Sequence, residues 1–545
     1  MRGIVSIAIV CTLAACNAPS PPTSTTTPQA TVETFATGAA FKGANGVYVG
    51  PDGNLYVASV ITPGVFALSI DDGHVIKRLG PDDGVTNPDD IAFAPDGTLC
   101  WTDILDGDVG CRPPGGKTVV AAKLTPGVNP LTFSDDGRLF VSQCFFDTKL
   151  YEVDPKGGTA PRLIRDDLGP GCGLNGMDWG PDGMLYGPRW FRGEVIKVDV
   201  KTGDYSTVAS GFGAPAAVKF DSKGRLHVLD TQKGEIVRID GDAHTVVARL
   251  TPGMDNFAFA PDDRLFTSSF VDGYVAEVTS PTDVRYLTPA GVSMPGGVAV
   301  VGDALYVADF FALRRYDLAS RAQTGEVRDV LGISELGTVI SLHANEQGTL
   351  LLSSWNDRTI RVWDPRTDAR MALWQKKGRP IDALRFAGEI VYSDFDAGSV
   401  ASFAPETPDD ETTRFTSQGV PAGLAVDGGA LYVTQYRSGE LLALADGGRW
   451  LAAAKTIASG LLGPKGVMIK GGDAYVVESA SGTLAQVHLA DGIVKRIANG
   501  LAVGTPAASG VPATMVFSGI AADAAGNFYV GGERDNLIHR IVPAR

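Results

Sequence analysis

Along this chain one pattern returns twelve times: an apolar alternation, a turn, then a second apolar run ending in a small or polar residue. The clearest copies are residues 46–59 (GVYVGPDGNLYVAS), 90–103 (DIAFAPDGTLCWTD), 130–143 (PLTFSDDGRLFVSQ), 176–189 (GMDWGPDGMLYGPR), 297–309 (GVAVVGDALYVAD) and 423–435 (GLAVDGGALYVTQ). The others begin at Ala217, Asn256, Ser341, Ala383, Gly466 and Gly519. Within a copy, Val47, Val49, Leu55 and Val57 alternate with a period of two, as a strand requires, and Pro-Asp-Gly supplies the fixed φ and the permissive glycine of a tight hairpin. Each copy therefore predicts two antiparallel strands. Further short apolar runs between copies, such as residues 64–70 and 74–79, predict two more. No stretch after the first residues holds a 3.6-residue periodicity, so helices should be few.

Successive copies start 39 to 53 residues apart, the period of a four-stranded propeller blade. Because propellers close with about 4 to 8 blades, twelve blades favour two tandem six-bladed β-propellers in an all-β chain. The domains expected are 31–281 and 282–545. The last copy stops before an outer strand, while residues 31–36 (TVETFA) and 283–287 (DVRYL) each precede a copy without a blade of their own. Pairing 31–36 with blade six and 283–287 with blade twelve would leave no open edge. A single twelve-bladed ring would balance the strand count equally. The 545 residues are enough for two large β domains, and 67 glycines and 33 prolines are spread as turns require.

The first residues bear on compartment. Arg2 precedes an apolar run and then Leu13-Ala14-Ala15-Cys16, which resembles the lipobox of bacterial lipoproteins. The resemblance implies a signal peptide over 1–15, lipid on Cys16 and, with Asn17 following, outer-membrane sorting; a plain signal peptide is the alternative. Residues 16–30, rich in Pro, Ser and Thr, read as a flexible tether. The propellers are then expected outside the cytoplasm, at the periplasm or cell surface, with the lipid as the membrane contact.

The formal net charge of -15, with no basic cluster, argues against nucleic acid as a partner, since phosphate contacts need Lys and Arg. An exported location permits disulfides between Cys100, Cys111, Cys144 and Cys172. Strand positions favour Cys100–Cys111 and Cys144–Cys172 among three connectivities. The absence of CxxC spacing or an adjacent histidine argues against metal on these thiols.

The chemistry is concentrated at the residue opening each inner strand, where side chains from all blades of a ring face one another across the channel. In the first ring these are Asn45, Asp89, Asn129, Asn175, Ala216 and Asp255, nearly all oxygen donors. In the second they read Gly296, Ile340, Asp382, Ala422, Lys465 and Ser518, which form no such set. Two carboxylates and three carboxamides suit a hard cation, Ca²⁺ or another divalent ion, held by Asn45, Asp89, Asn129, Asn175 and Asp255. Taken singly, each is equally a turn residue bonding its own backbone.

Leu174-Asn175-Gly176-Met177-Asp178-Trp179, followed by Pro181-Asp182-Gly183, resembles the strand opening of the senescence marker protein and gluconolactonase family, six-bladed propellers that use a channel metal to open sugar lactones. That resemblance implies a metal-dependent hydrolase of lactone-like esters, with ligands at the positions of Asn45, Asn129, Asn175 and Ala216. Asn45 replaces the family's glutamate, however, and Ala216 its aspartate, so Asp255 and Asp89 are left to act as general base. The second strands end on the same face, placing Asp103, Gln143, Arg189, Trp190, Asp230 and Phe270 near the mouth. Arg189 suits a carboxylate or oxyanion and Trp190 with Phe270 a flat ligand. The turn-rich repeats also resemble streptogramin lyases, but none of His74, His227, His244, His343, His488 and His539 opens an inner strand, so the resemblance is one of fold. The opposing expectation is a non-catalytic surface protein that binds a partner around a structural cation.

Replacing Cys16 with serine is expected to move the protein from the membrane fraction to the soluble extracytoplasmic fraction, as immunoblotting of fractionated cells would report.

Overall fold

The computed structural model describes residues 30–330, 332–345, 347–375, 377–505 and 517–544. The expected signal peptide, the expected lipidation site Cys16 and all but the last residue of the expected tether lie outside these. Among the described residues there is no α-helix, only short 3-10 turns at Pro81–Asp83 and Trp190–Arg192. No helix is long and apolar enough to cross a membrane.

Twelve four-stranded antiparallel sheets form two tandem six-bladed propellers. Blade one starts with Ala44–Val49 and blade six with Met254–Phe259, and these two meet to close the first ring. The Ser268 hydroxyl donates to the Asn45 carbonyl, and Val47, Leu55 and Phe66 pack on Phe266 and Val275 across the seam. The second ring runs from the blade starting at Val298–Val301 to the one starting at Ile520–Ala522, where Gly519 N donates to Gly296 O at 3.2 Å.

The closing strands are exchanged relative to the sequence expectation. Asp283–Tyr286 stays with blade six, and Ala30–Thr37 pairs with Leu537–Pro543 as the outer strand of blade twelve. The reason is local. Ser280 and Asp283 are already register partners, so Pro281 and Thr282 alone make the turn, and so short a hairpin costs little loop entropy. Only the N-terminal strand is then free to cover the last blade. The first ring is consequently inserted between the first strand of the second ring and the remainder of it.

Two linkers connect the rings and run side by side. Ala39 N donates to Val292 O at 2.9 Å and Ala40 N to Pro289 O at 3.1 Å, while Asn536 Nδ2 from the last blade donates to Ala39 O at 3.0 Å. Gly38 sits where these segments cross, and a Cβ there would overlap the carbonyls of Asn536 and Val292. Beside them Arg314, 1% exposed, donates to Asp309 (2.5 Å) in its own ring and to Asp272 (2.8 Å) in the first, and Arg328 also holds Asp272 (2.9 Å). These buried pairs, of which Arg328–Asp272 is bidentate, fix the rings against each other. Cys100 and Cys111 are cross-strand partners joined by a disulfide, and Cys144 is bonded to Cys172 across the loops of blades three and four, the pairings expected from strand position.

Arg314→Ala, which leaves Asp309 without its guanidinium, is expected to cost about 3–5 kcal/mol of stability, read from the shift in urea unfolding.

Candidate functional site in the channel of the first ring

Five of the six inner strands of the first ring open on a β-bulge. Register shifts fall between Ala44 and Val47, Pro88 and Ile91, Val128 and Leu131, Pro215 and Ala217, and Met254 and Phe257. A bulge places an extra residue against the partner strand and re-aims the side chains around it. Two successive layers therefore line the channel. Asn45, Asp89, Asn129, Asn175, Ala216 and Asp255 make the first; Gly46, Asp90, Pro130, Gly176, Ala217 and Asn256 make the second.

The first layer is enclosed: Asp89 is 3% exposed, and Asn45, Asn129 and Asn175 are buried, whereas Asp255 is half-buried. Asp89 bonds the Asn45 side chain, yet its Oδ1 is buried without a hydrogen-bond partner. Burial, then the charges of Asp255 and Asp90, push the Asp89 pKa well above the carboxylate range. Burial and Asp90 push Asp255 up to about 7. Like-charged carboxylates in so dry a place call for a proton or a cation.

The second layer is satisfied by protein alone. Asn256 Nδ2 donates to Asp90 Oδ1 at 3.1 Å, and Asp90 also accepts from Ile91 N (3.0 Å) and, in the next blade, Leu131 N (3.3 Å). Gly46 lies beneath this bridge, where a Cβ would come within 2.6 Å of Asp90 Oδ1. One layer further along, Asp178 of the Asn-Gly-Met-Asp-Trp motif accepts from Trp179 N and, across the blade boundary, Phe220 N (2.8 Å). The motif's aspartate thus ties blade four to blade five, and Lys219 lowers the cost of burying it. Asp90 and Asn256 escape sequence reading because they stand one place beyond the residues that open the strands; the paired Asp89-Asp90 was the visible signal.

The residues expected around the mouth have other partners. Asp103, 1% exposed, accepts from Thr86 N (2.8 Å), Asn87 N (2.7 Å) and Trp101 Nε1 (3.0 Å). Asp230 accepts from Gly213 N (2.7 Å) and Ala214 N (3.0 Å). Gln143 Nε2 donates to Thr125 O at 2.9 Å. Arg189 donates to Leu168 O at 3.1 Å and is paired with Glu194. Each ties down the loop that opens its own blade. Phe270 packs against Gly43 and, edge-on, Phe311 of the second ring, so it belongs to the contact between rings. Trp190 stands in an aromatic group of the first ring, with Phe145 and Phe191, and Phe191 is 51% exposed.

The second ring differs by one position from the sequence reading. The Ser353 hydroxyl donates to Ile381 O at 3.1 Å, as Thr102 does to Asn129 O (2.6 Å) and Ser393 to Ala422 O (2.6 Å), so Ile381 and not Asp382 opens blade nine. Pro380-Ile381-Asp382-Ala383 lacks the glycine that follows the opener in six other blades, and the alignment slips there. Ile340, Ile381 and Phe517 form an apolar cluster in this ring, and the opener Lys465 is paired with buried Glu533 at 2.9 Å.

Among the described residues no three His, Cys, Asp or Glu side chains gather into a metal-binding group. What the first layer offers a cation is two carboxylates with three carboxamides, and the unpartnered Asp89 Oδ1 is the feature that fits one.

Strand pairing and channel together define the class: a tandem β-propeller with chemically distinct rings. No family model and no curated protein matches the chain. Among solved structures it is similar to selenomethionine-substituted virginiamycin B lyase from Staphylococcus aureus, at 15% identity and a TM-score of 0.37 over 51% of this chain and 96% of that one. It is also similar to the extracellular domain of a hybrid two component system from B. thetaiotaomicron, at 9% identity and a TM-score of 0.35 over 94% of this chain and 83% of the other. At these values the likenesses add nothing to the fold read from strand pairing.

Because the folded-state pKa of Asp255, about 7, exceeds the unfolded carboxylate value, folding favours its proton. Its contribution to stability is present at low pH and lost as pH rises through about 7. The urea midpoint of chelator-treated Asp255→Asn, relative to the parent, is expected to climb across that window.

Proposed function

We propose that this chain is an exported, lipid-anchored propeller protein whose first ring takes up a divalent cation, Ca²⁺ by its oxygen donors, and serves recognition at the cell envelope. The observation that carries the reading is the buried Asp89 Oδ1, without a partner and beside Asp255. A cation between these carboxylates would satisfy the orphan oxygen and relieve the repulsion. Asn45, Asn129 and Asn175 would add carbonyl oxygens, and water would complete the roughly 6 to 8 ligands that Ca²⁺ takes. Recognition is favoured over turnover because Asp103, Arg189 and Asp230 are spent on their own loops. The partner would be met at the rim, where Trp190 and Phe191 stand.

A second reading, hydrolysis of lactone-like esters, is favoured by Asp255: half-buried with a pKa near 7, it has the basicity to accept a proton from water at neutral pH. When bound, the cation would polarise a carbonyl oxygen and acidify water. Asp255 and Asp89 would then compete between holding the cation and moving the proton.

Calorimetric titration of the mature protein with Ca²⁺ is expected to show one site in the first ring, lost in Asp89→Asn with Asp255→Asn. A lactone panel run with and without chelator separates the two readings: chelator-sensitive turnover supports hydrolysis, binding without turnover supports recognition, and no binding overturns both.

A further inference from the structure

A second polar site stands in the channel of the other ring. Asp382, 1% exposed, has the place in blade nine that Asp90 has in blade two: it accepts from the following amide, Ala383 N (3.0 Å), and from the next blade, Leu424 N (2.9 Å). Those bonds complete its structural part. Beyond them it accepts from Ser341 Oγ (2.8 Å) and, with both oxygens, faces His343 Nε2 at 2.9 and 3.0 Å. The equivalent positions to His343 in the first ring hold Tyr48, Ala92, Thr132, Asp178, Lys219 and Ala258, so blade construction does not require imidazole there.

The carboxylate assigns the proton of the ring to Nε2 and turns the other nitrogen away. His343 Nδ1 makes no hydrogen bond among the described residues, its side chain is 29% exposed, and it lines a cavity of about 450 Å³. Arg385 lines the same cavity, exposed and without an ion pair among the described residues. Leu351, Val362, Leu384 and Val426 form the apolar wall. Asp382 holds the imidazole pKa above its ordinary value against the effect of burial. Among the described residues the charged group against His343 is Asp382 of blade nine, which is consumed by its four donors, and Arg385 of the same strand is the charged side chain that shares the cavity with the imidazole.

We propose that this cavity is a binding site for a small oxyanion, a carboxylate or phosphate, held between the Arg385 guanidinium and His343 Nδ1. In a chain of net charge -15, a guanidinium and an imidazolium sharing one apolar-walled cavity single it out electrostatically. The guanidinium grips the oxygens in pairs, and protonated Nδ1 donates to a third. Binding is linked to the His343 proton, so affinity falls by up to about tenfold per pH unit above the imidazole pKa.

The test follows the His343 ring by ¹H–¹⁵N NMR in the full chain as pH is varied, with inorganic phosphate and with acetate as separate probes. Both anions should raise the pKa of His343, and Arg385→Ala should abolish that rise while leaving the anion-free titration in place. Response to phosphate alone, or to acetate alone, assigns the anion class. Asp382→Asn should lower the anion-free pKa, which checks the dyad independently of binding. Anion-independent titration of His343, or a rise that persists in Arg385→Ala, would overturn the proposal.

Discussion

A blade can open towards a channel only if the loop that delivers its inner strand finds partners for its own backbone, because buried amides and carbonyls are costly to leave unpaired. Here the partner is the side chain that ends the second strand of the same blade. Carboxylates take the loop amides at Asp103, Asp230, Asp309, Asp394, Glu478 and Glu533, while Ser59, Gln143, Arg189 and Ser269 donate to loop carbonyls. Next to them, hydroxyls such as Thr102, Ser353 and Thr434 reach the first carbonyl of the following blade. One short segment per blade thus holds its own loop and its neighbour, and the channel layers stand on that pair of contacts.

The same economy explains what was legible in the sequence. Each blade is built from hairpins, so the alternation and the Pro-Asp-Gly turns disclosed the fold and the twelve sheets. Closure was not legible in the same way: 31–36 and 283–287 share one apolar pattern, and only the two-residue turn at Pro281-Thr282 decides between them. The channel layer of the first ring could be placed because glycine or a small residue follows most openers. A carboxylate at a strand end reads identically whether it awaits a ligand or ties a loop, which is why Asp103 and Asp230 needed coordinates. His343 acquires its meaning from Asp382, 39 residues away, and no local pattern announces it.

The rings share construction and differ in chemistry. At the opening layer one carries oxygen atoms, with a carboxylate left unsatisfied, and the other carries Ile340, Ile381 and Ala422 with Lys465, which is paired with Glu533. Further along, the order reverses, and the second ring holds the Asp382–His343 contact where the first is closed by Asp90 and Asn256. The blade scaffold tolerates this because its own hydrogen bonds are complete before the channel side chains are chosen.

The placement of Ala30–Thr37 on the last blade sets an order of events for a chain that emerges from its N-terminus. Ala30 is in register with Pro543, so the first strand to appear waits for nearly the whole sequence before its partner exists. The first ring contains none of this delay: all its strands lie between Ala44 and Tyr286, and it can be finished while the second is still incomplete. Until then Ala30–Thr37 is an unpaired edge, and its Thr31, Glu33, Thr34 and Thr37 dilute the apolar Val32 and Phe35 during the wait. Maturation of the second ring is therefore a late, long-range event, and its timing is governed by chain length and not by the speed of hairpin formation.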